Sequence, residues 1–315
     1  MKAMNCRQVN CFVLLLLASC DGAPRPANDT LNQASSDSAN GEVRAANVNG
    51  VSLHYVESGS GEPIILVHGS LVDYREWEGV MRDLVTDHRV IAYSRRYNYP
   101  NTNAVQGRDH SAAIEAADLA AFVRQVGGGP VHIAGISFGA LTALLFSIEH
   151  PELVRTLTVV EPPIMSWLPE LPGGAAEYDQ VKTKLLGPAA QAFRKGDREQ
   201  ALRSSLDFFI APGAMDQLPP EVLAVLRSNL TEWEAIMTST NAFPSVNRDD
   251  VRKLKVPVLM ISGGRTLSSL RITDAELERL LQHGTRLVVP DGTHDVCSEQ
   301  PTTCATVIRQ HVDRN

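Results

Sequence analysis

Hydrophobic positions along the chain fall into short runs separated by longer segments with helical spacing. Val51 to Val56 alternates apolar with polar residues, the pattern of a half-exposed edge strand. Pro63-Ile64-Ile65-Leu66-Val67-His68 is a compact apolar run, as a buried parallel strand requires. A helical segment follows around Tyr74 to Thr86, and Arg89 to Tyr93 predicts the next strand. His110 to Val126 carries apolar residues at helical spacing and runs into Gly127-Gly128-Gly129, a strong stop. Pro130 to Gly135 predicts a strand, and Phe138 to Glu149 a helix that stops before Pro151. Leu153 to Val160 predicts another strand.

From about Pro163 to Asn247 this alternation lapses. Pro and Gly are scattered, and the clear segments, such as Glu221 to Met237, look helical, so residues 163–247 are expected to form a mainly helical insertion, or cap. Alternation then resumes with a strand over Val256 to Ile261, a helix over Ile272 to Gln282, a strand over Arg286 to Val289 and a closing helix from Pro301 to about Val312. Strands alternating with helices predict an α/β fold with a mostly parallel, doubly wound sheet. There is no internal repeat and no heptad run.

The N-terminus does not fit that pattern. Lys2 and Arg7 precede an apolar run from Phe12 to Leu17, which is too short to span a bilayer and reads as a signal peptide over residues 1–20. Leu17-Ala18-Ser19-Cys20 resembles a lipobox, which implies lipidation of Cys20; ordinary secretion is the alternative. The expected location is therefore outside the cytoplasm, either membrane-anchored through Cys20 or free in the periplasm or medium. Residues 21–42 are rich in Ala, Asn, Ser, Asp, Pro and Gly and predict a flexible linker. One large domain over 43–315 remains.

Hydrophobic residues make up 43% of the 315-residue chain, enough for a sizeable core, and the net charge is −7. A chain this acidic has no basic field to neutralise phosphates, so nucleic acid is not an expected partner. Arg95-Arg96 is the one notable basic cluster and reads as a solvated or salt-bridged pair. Of the five cysteines, Cys6, Cys11 and Cys20 fall in the leader. Cys297 and Cys304 would stand about 10 Å apart on one continuous helix, too far for a bridge. A helix starting at Pro301 would let Cys297 fold back, so a disulfide and two buried thiols both remain open.

Gly135-Ile136-Ser137-Phe138-Gly139 follows an apolar strand and opens an Ala/Leu-rich helix. A serine on so tight a strand-to-helix turn needs small neighbours, and its hydroxyl projects at the helix N-terminus, where the dipole favours developing negative charge. The alternative reading of Ser137 is a helix N-cap. No metal-ligand cluster and no dinucleotide or phosphate loop is evident, so no cofactor and no metal are expected.

From about Val43 to Val312 the chain resembles the α/β-hydrolases. His68-Gly69-Ser70 resembles their oxyanion loop, Gly135 to Gly139 their nucleophile elbow, and Gly292-Thr293-His294 their catalytic-histidine loop, in the expected chain order. The resemblance implies Ser137 as nucleophile, His294 as general base and the backbone N–H groups of Ser70 and Phe138 as the oxyanion hole. The other histidines fit less well. His132 lies inside a strand, and His54, His88, His110, His150, His283 and His311 read as surface or element-end residues.

The acid departs from the family pattern. The segment after the post-cap strand, Ser262-Gly263-Gly264-Arg265-Thr266-Leu267-Ser268-Ser269, holds no carboxylate. Glu161, at the end of the preceding strand, is the favoured replacement, with Asp274 and Asp295 as alternatives. The loop from Tyr93 to Asn101 is expected at the rim of the site, contacting substrate, holding the cap or serving structure alone. Trp167, Phe208, Phe209, Trp233 and Phe243 are expected to line an apolar pocket, some of them as cap core. The implied activity is hydrolysis of carboxylic esters or lactones through an acyl-enzyme, on a small-molecule substrate. C–C bond hydrolysis or perhydrolysis on the same residues, or a non-catalytic ligand-binding role, are the alternatives. A serine at the elbow argues against epoxide hydrolase or dehalogenase chemistry, for which the family uses Asp.

Overall fold

The computed structural model describes residues 42–315. The leader expected at 1–20, with Cys20, and all but the last residue of the linker expected at 21–42 lie outside the described residues.

Eight strands form one sheet: β1 (Arg44–Val48), β2 (Val51–Ser58), β3 (Pro63–Val67), β4 (Arg89–Tyr93), β5 (Val131–Ile136), β6 (Val154–Val160), β7 (Val258–Gly263) and β8 (Gly284–Val289). Their spatial order is β1-β2-β4-β3-β5-β6-β7-β8. β1 and β2 are antiparallel, joined by Asn49-Gly50, both with positive φ as a two-residue hairpin turn requires. From β4 onward every pairing is parallel. The sequence pattern did not announce β1, which buries only Ala46 and Val48.

β3 and β5 sit in the middle of the sheet, and every residue of β5 is buried, which explains their unbroken apolar character. Helices cover both faces. One core lies under Ala112–Phe122 and Phe138–Glu149; the other lies under Glu78–Leu84 and Pro301–Val312.

Between β6 and β7 the chain is helical, from Met165–Glu170 to Arg248–Lys253. Its apolar residues, Leu202 and Trp233 among them, belong to the same buried cluster as the sheet residues Ile65 and Ile133. The cap is therefore seated on the sheet domain by a continuous core. The single helix expected over Glu221 to Met237 is two, Pro220–Ser228 and Leu230–Thr238, broken at Asn229. Asn229 leaves helical geometry because its side chain is committed elsewhere: Nδ2 donates to Asp73 Oδ2 (2.8 Å), and Oδ1 accepts from the Tyr99 N–H (2.9 Å).

Cys297 and Cys304 form a disulfide with Cα atoms 5.4 Å apart. The helix Val296–Glu299 ends at Gln300 and a new one starts at Pro301, so the chain folds back as the bridge requires. Among the described residues no helix is long and apolar enough to cross a membrane.

Candidate active site

The site lies at the C-terminal ends of β3, β5, β6 and β7, where an open α/β sheet presents its crevice. β5 ends at Ile136, and Ser137 follows with φ 53° and ψ −123°, a conformation costly for an L-residue. Its N–H donates to Val160 O (2.8 Å), tying the turn to β6. A Cβ on Gly135 would stand 2.5 Å from Gly139 O, and one on Gly139 would fall on the His68 carbonyl. Only glycine fits at either place. The Ser137 side chain makes no capping bond to the helix Phe138–Glu149, so the N-cap reading fails. Its Oγ lies 3.0 Å from His294 Nε2.

His294 is on the loop after β8. The half-buried Glu299 holds that loop, accepting from Thr293 N (2.9 Å) and Thr293 Oγ1 (2.8 Å). The other ring nitrogen, Nδ1, lies 2.6 Å from Glu161 Oε2. Burial works against the imidazolium, yet the hydrogen bond and charge of Glu161, with Asp295 and Glu76 behind it, hold His294 up to about 9.

Glu161 is fully buried and takes φ 51° just past the end of β6. Its Oε1 accepts from Gly263 N (2.7 Å), and its Oε2 also accepts from Thr266 Oγ1 (2.6 Å). The post-β7 segment thus contributes donors where family members place a carboxylate. Neither alternative acid makes a hydrogen bond to His294. Asp274 accepts from Ser262 Oγ (2.6 Å) beneath β7. Burial pushes both Asp274 and Asp295 up to about 7.

Ser70 and Phe138 line one cavity with Ser137 and His294. The Gly69-Ser70 loop passes close to Ser137, since a methyl group on Gly69 would be 3.4 Å from Ser137 Cβ. Glu76, which the sequence did not single out, lines the site as well. Its Oε2 accepts from Gly69 N (2.7 Å), and burial raises its carboxyl to about 8 against that bond. Nothing in the local pattern Asp73-Tyr74-Arg75-Glu76 distinguishes it from a surface helix start.

Ser137 stands between two lobes. The wider, about 210 Å³, carries Glu76, Arg82, Asp295 and Glu299 together with Val222 and Leu226. The narrower, about 50 Å³, is apolar and takes in Phe208, Phe209, Trp233, Phe243 and Leu185. Four of the five aromatic residues expected there line it. Trp167 does not: it is cap core, with Nε1 donating to Val246 O (2.7 Å).

The rim loop holds the cap. Arg95 is fully buried, with Nη2 2.5 Å from Glu232 Oε1 of the cap and Nη1 3.4 Å from Glu115 Oε1. Of the two readings of Arg95-Arg96 the salt-bridged one holds, and Arg96 binds Asp118 through Nε (2.7 Å) and Nη2 (2.8 Å). His88 and His110 are buried rather than superficial. His110 packs against Tyr97 and Phe138, and burial lowers it to about 3. Among the described residues no group of three or more His, Cys, Asp or Glu is arranged to hold a metal ion.

The sequence profile of the alpha/beta hydrolase family matches residues 64–307. The chain belongs to that family and is a hydrolase. It is similar to (E)-2-((N-methylformamido)methylene)succinate hydrolase of Acinetobacter baylyi, 22% identical over 79% of this chain and 89% of that one. An esterase of Mycobacterium tuberculosis is 25% identical over 81% and 84%. Among solved structures, the enol-lactonase of Burkholderia xenovorans LB400 shares the fold with a TM-score of 0.70 at 16% identity, covering 86% of this chain and 100% of that one.

Proposed function

We propose that the protein hydrolyses carboxylic esters or lactones of small molecules through an acyl-enzyme on Ser137. The observation that carries this reading is the unbroken hydrogen-bonded chain from Ser137 Oγ through His294 to Glu161 at the junction of the two lobes. In this reading Ser137 Oγ attacks the carbonyl carbon while His294 Nε2 takes its proton. Glu161 keeps the other ring proton on Nδ1, fixing the tautomer, and stabilises the imidazolium. The carbonyl oxygen gains negative charge and is met by the N–H groups of Ser70 and Phe138, a contribution of about 3–4 kcal/mol per donor in hydrolases of this kind. His294 returns the proton to the leaving oxygen, and water then cleaves the acyl-enzyme by the same steps.

The narrow apolar lobe suits the hydrocarbon part of the substrate, and the wider lobe suits its polar part. A relative named as an esterase supports the ester class. We further propose that the protein is exported and held to a membrane surface through Cys20, with residues 21–42 as tether. The catalytic reading is tested with a fluorophosphonate probe and a panel of p-nitrophenyl esters and lactones. Labelling and turnover lost together in Ser137→Ala support it; a wild-type protein inert to both overturns it.

A further inference from the structure

The tripeptide Gly69-Ser70-Leu71 leaves β3 over the nucleophile, with Leu71 at φ 64°. Two of its three backbone N–H groups and the Gly69 carbonyl are committed. The Gly69 N–H goes to Glu76 Oε2 (2.7 Å). Gly69 O accepts from Arg95 Nη2 (3.0 Å) and from His68 Nδ1 (2.7 Å). His68 Nε2 accepts from the Arg95 N–H (2.9 Å), which fixes His68 as the neutral Nδ1–H tautomer. The Leu71 N–H goes to Glu232 Oε2 (3.2 Å). Among the described residues only the Ser70 N–H in this stretch has no acceptor.

Glu232 is the part of this clamp that comes from the cap, on the helix Leu230–Thr238. Its two oxygens hold two different groups of the sheet domain, Leu71 N–H and Arg95 Nη2. Arg95 in turn grips the carbonyls of His68 (3.1 Å) and Gly69. Arg95, Glu115 and Glu232 are all shut off from solvent. Buried ion pairs of this kind add little stability over apolar packing of the same volume, so what they supply here is geometry.

We propose that Glu232 is a positioning residue through which the cap sets the Ser70 N–H, so that the oxyanion hole is complete only when the cap helix is seated on the Arg95 loop. This rests on the reading of the Ser70 N–H as an oxyanion donor. Loss of the Glu232 carboxylate alone misaims the Ser70 N–H and weakens stabilisation of the tetrahedral oxygen, while the helix and the Trp233 it carries into the narrow lobe stay in place.

The test is steady-state hydrolysis of p-nitrophenyl acetate by the full chain carrying Glu232→Gln or Glu232→Asp. Removing an oxyanion donor costs about 10²–10³ in kcat, so a misaimed one is expected to cost roughly ten- to a hundredfold, with KM nearly unchanged. The inhibition constant of a boronic acid, which forms a tetrahedral anionic adduct on the serine, rises by the same factor, while that of the product carboxylate stays put. Glu232→Asp keeps the charge facing Arg95 and retains more activity than Glu232→Gln; it carries the test alone if the latter does not fold. Glu115→Gln removes the other carboxylate on Arg95 without touching Leu71, and is expected to lower the melting temperature comparably but kcat less. An active wild type with Glu232 variants of undiminished kcat, or with Glu115→Gln matching them in both readouts, overturns this inference alone. A wild type inert to esters, lactones and the fluorophosphonate probe overturns the hydrolytic reading and this one with it.

Discussion

Glu161 and His294 come from chain positions far apart, yet their side chains meet at 2.6 Å. The carboxylate is held by Gly263 N and Thr266 Oγ1 from the segment that carries no acid of its own. Glu161→Gln keeps the size but would present its amide to His294 and favour the wrong tautomer. We expect kcat to fall roughly 10²–10⁴-fold, while Asp274→Asn stays near wild type. The reverse ranking in kcat for ester hydrolysis would remove Glu161 from the mechanism.

The pH dependence follows from the same pair. Only the neutral imidazole can take the Ser137 proton, so kcat/KM should rise as His294, held up to about 9, loses its proton, and should fall as pH drops below that value. The charged groups facing the ring are Glu161, Asp295 and Glu76. Asp295→Asn removes one negative charge, makes the imidazolium less favourable and should move the acid limb down by roughly half to one pH unit. A limb that stays fixed, or shifts upward, in a pH–rate profile contradicts this.

Much of this was readable in advance, because the signals are local. The elbow needs two glycines around a serine between a strand and a helix, and residues 135–139 supply them within five positions. Glu161 was readable for a weaker reason: the post-β7 segment lacked a carboxylate, and the neighbouring strand end had one. Glu232 and the break at Asn229 were not readable. Their partners, Arg95, Tyr99 and Asp73, stand more than a hundred residues away in sequence, and a glutamate on a helix face ordinarily reads as solvated. Burial of His110 was missed because the rings it packs against, Tyr97 and Phe138, come from other elements of the fold.

The Cys297–Cys304 bridge closes a short loop just after His294, and Cys297 itself lines the wider lobe. Loop-closure entropy for so few residues is about 2–3 kcal/mol. The double substitution Cys297→Ala/Cys304→Ala should therefore lower the melting temperature by roughly 5–10 °C. A thermal melt with and without reductant checks it: the wild type should shift on reduction and the variant should not.

The leader reading predicts that wild-type protein expressed in a bacterium sediments with membranes and takes up radiolabelled fatty acid. Cys20→Ala should lose both. Soluble, unlabelled wild-type protein would count against the anchor.

The imidazole joins the assembly from the loop between β8 and the helix Val296–Glu299, near the end of the chain, so its partners at Ser137 and Glu161 are made long before it. On the proposed mechanism, a chain cut short ahead of residue 294 has the serine but lacks the base that would activate it.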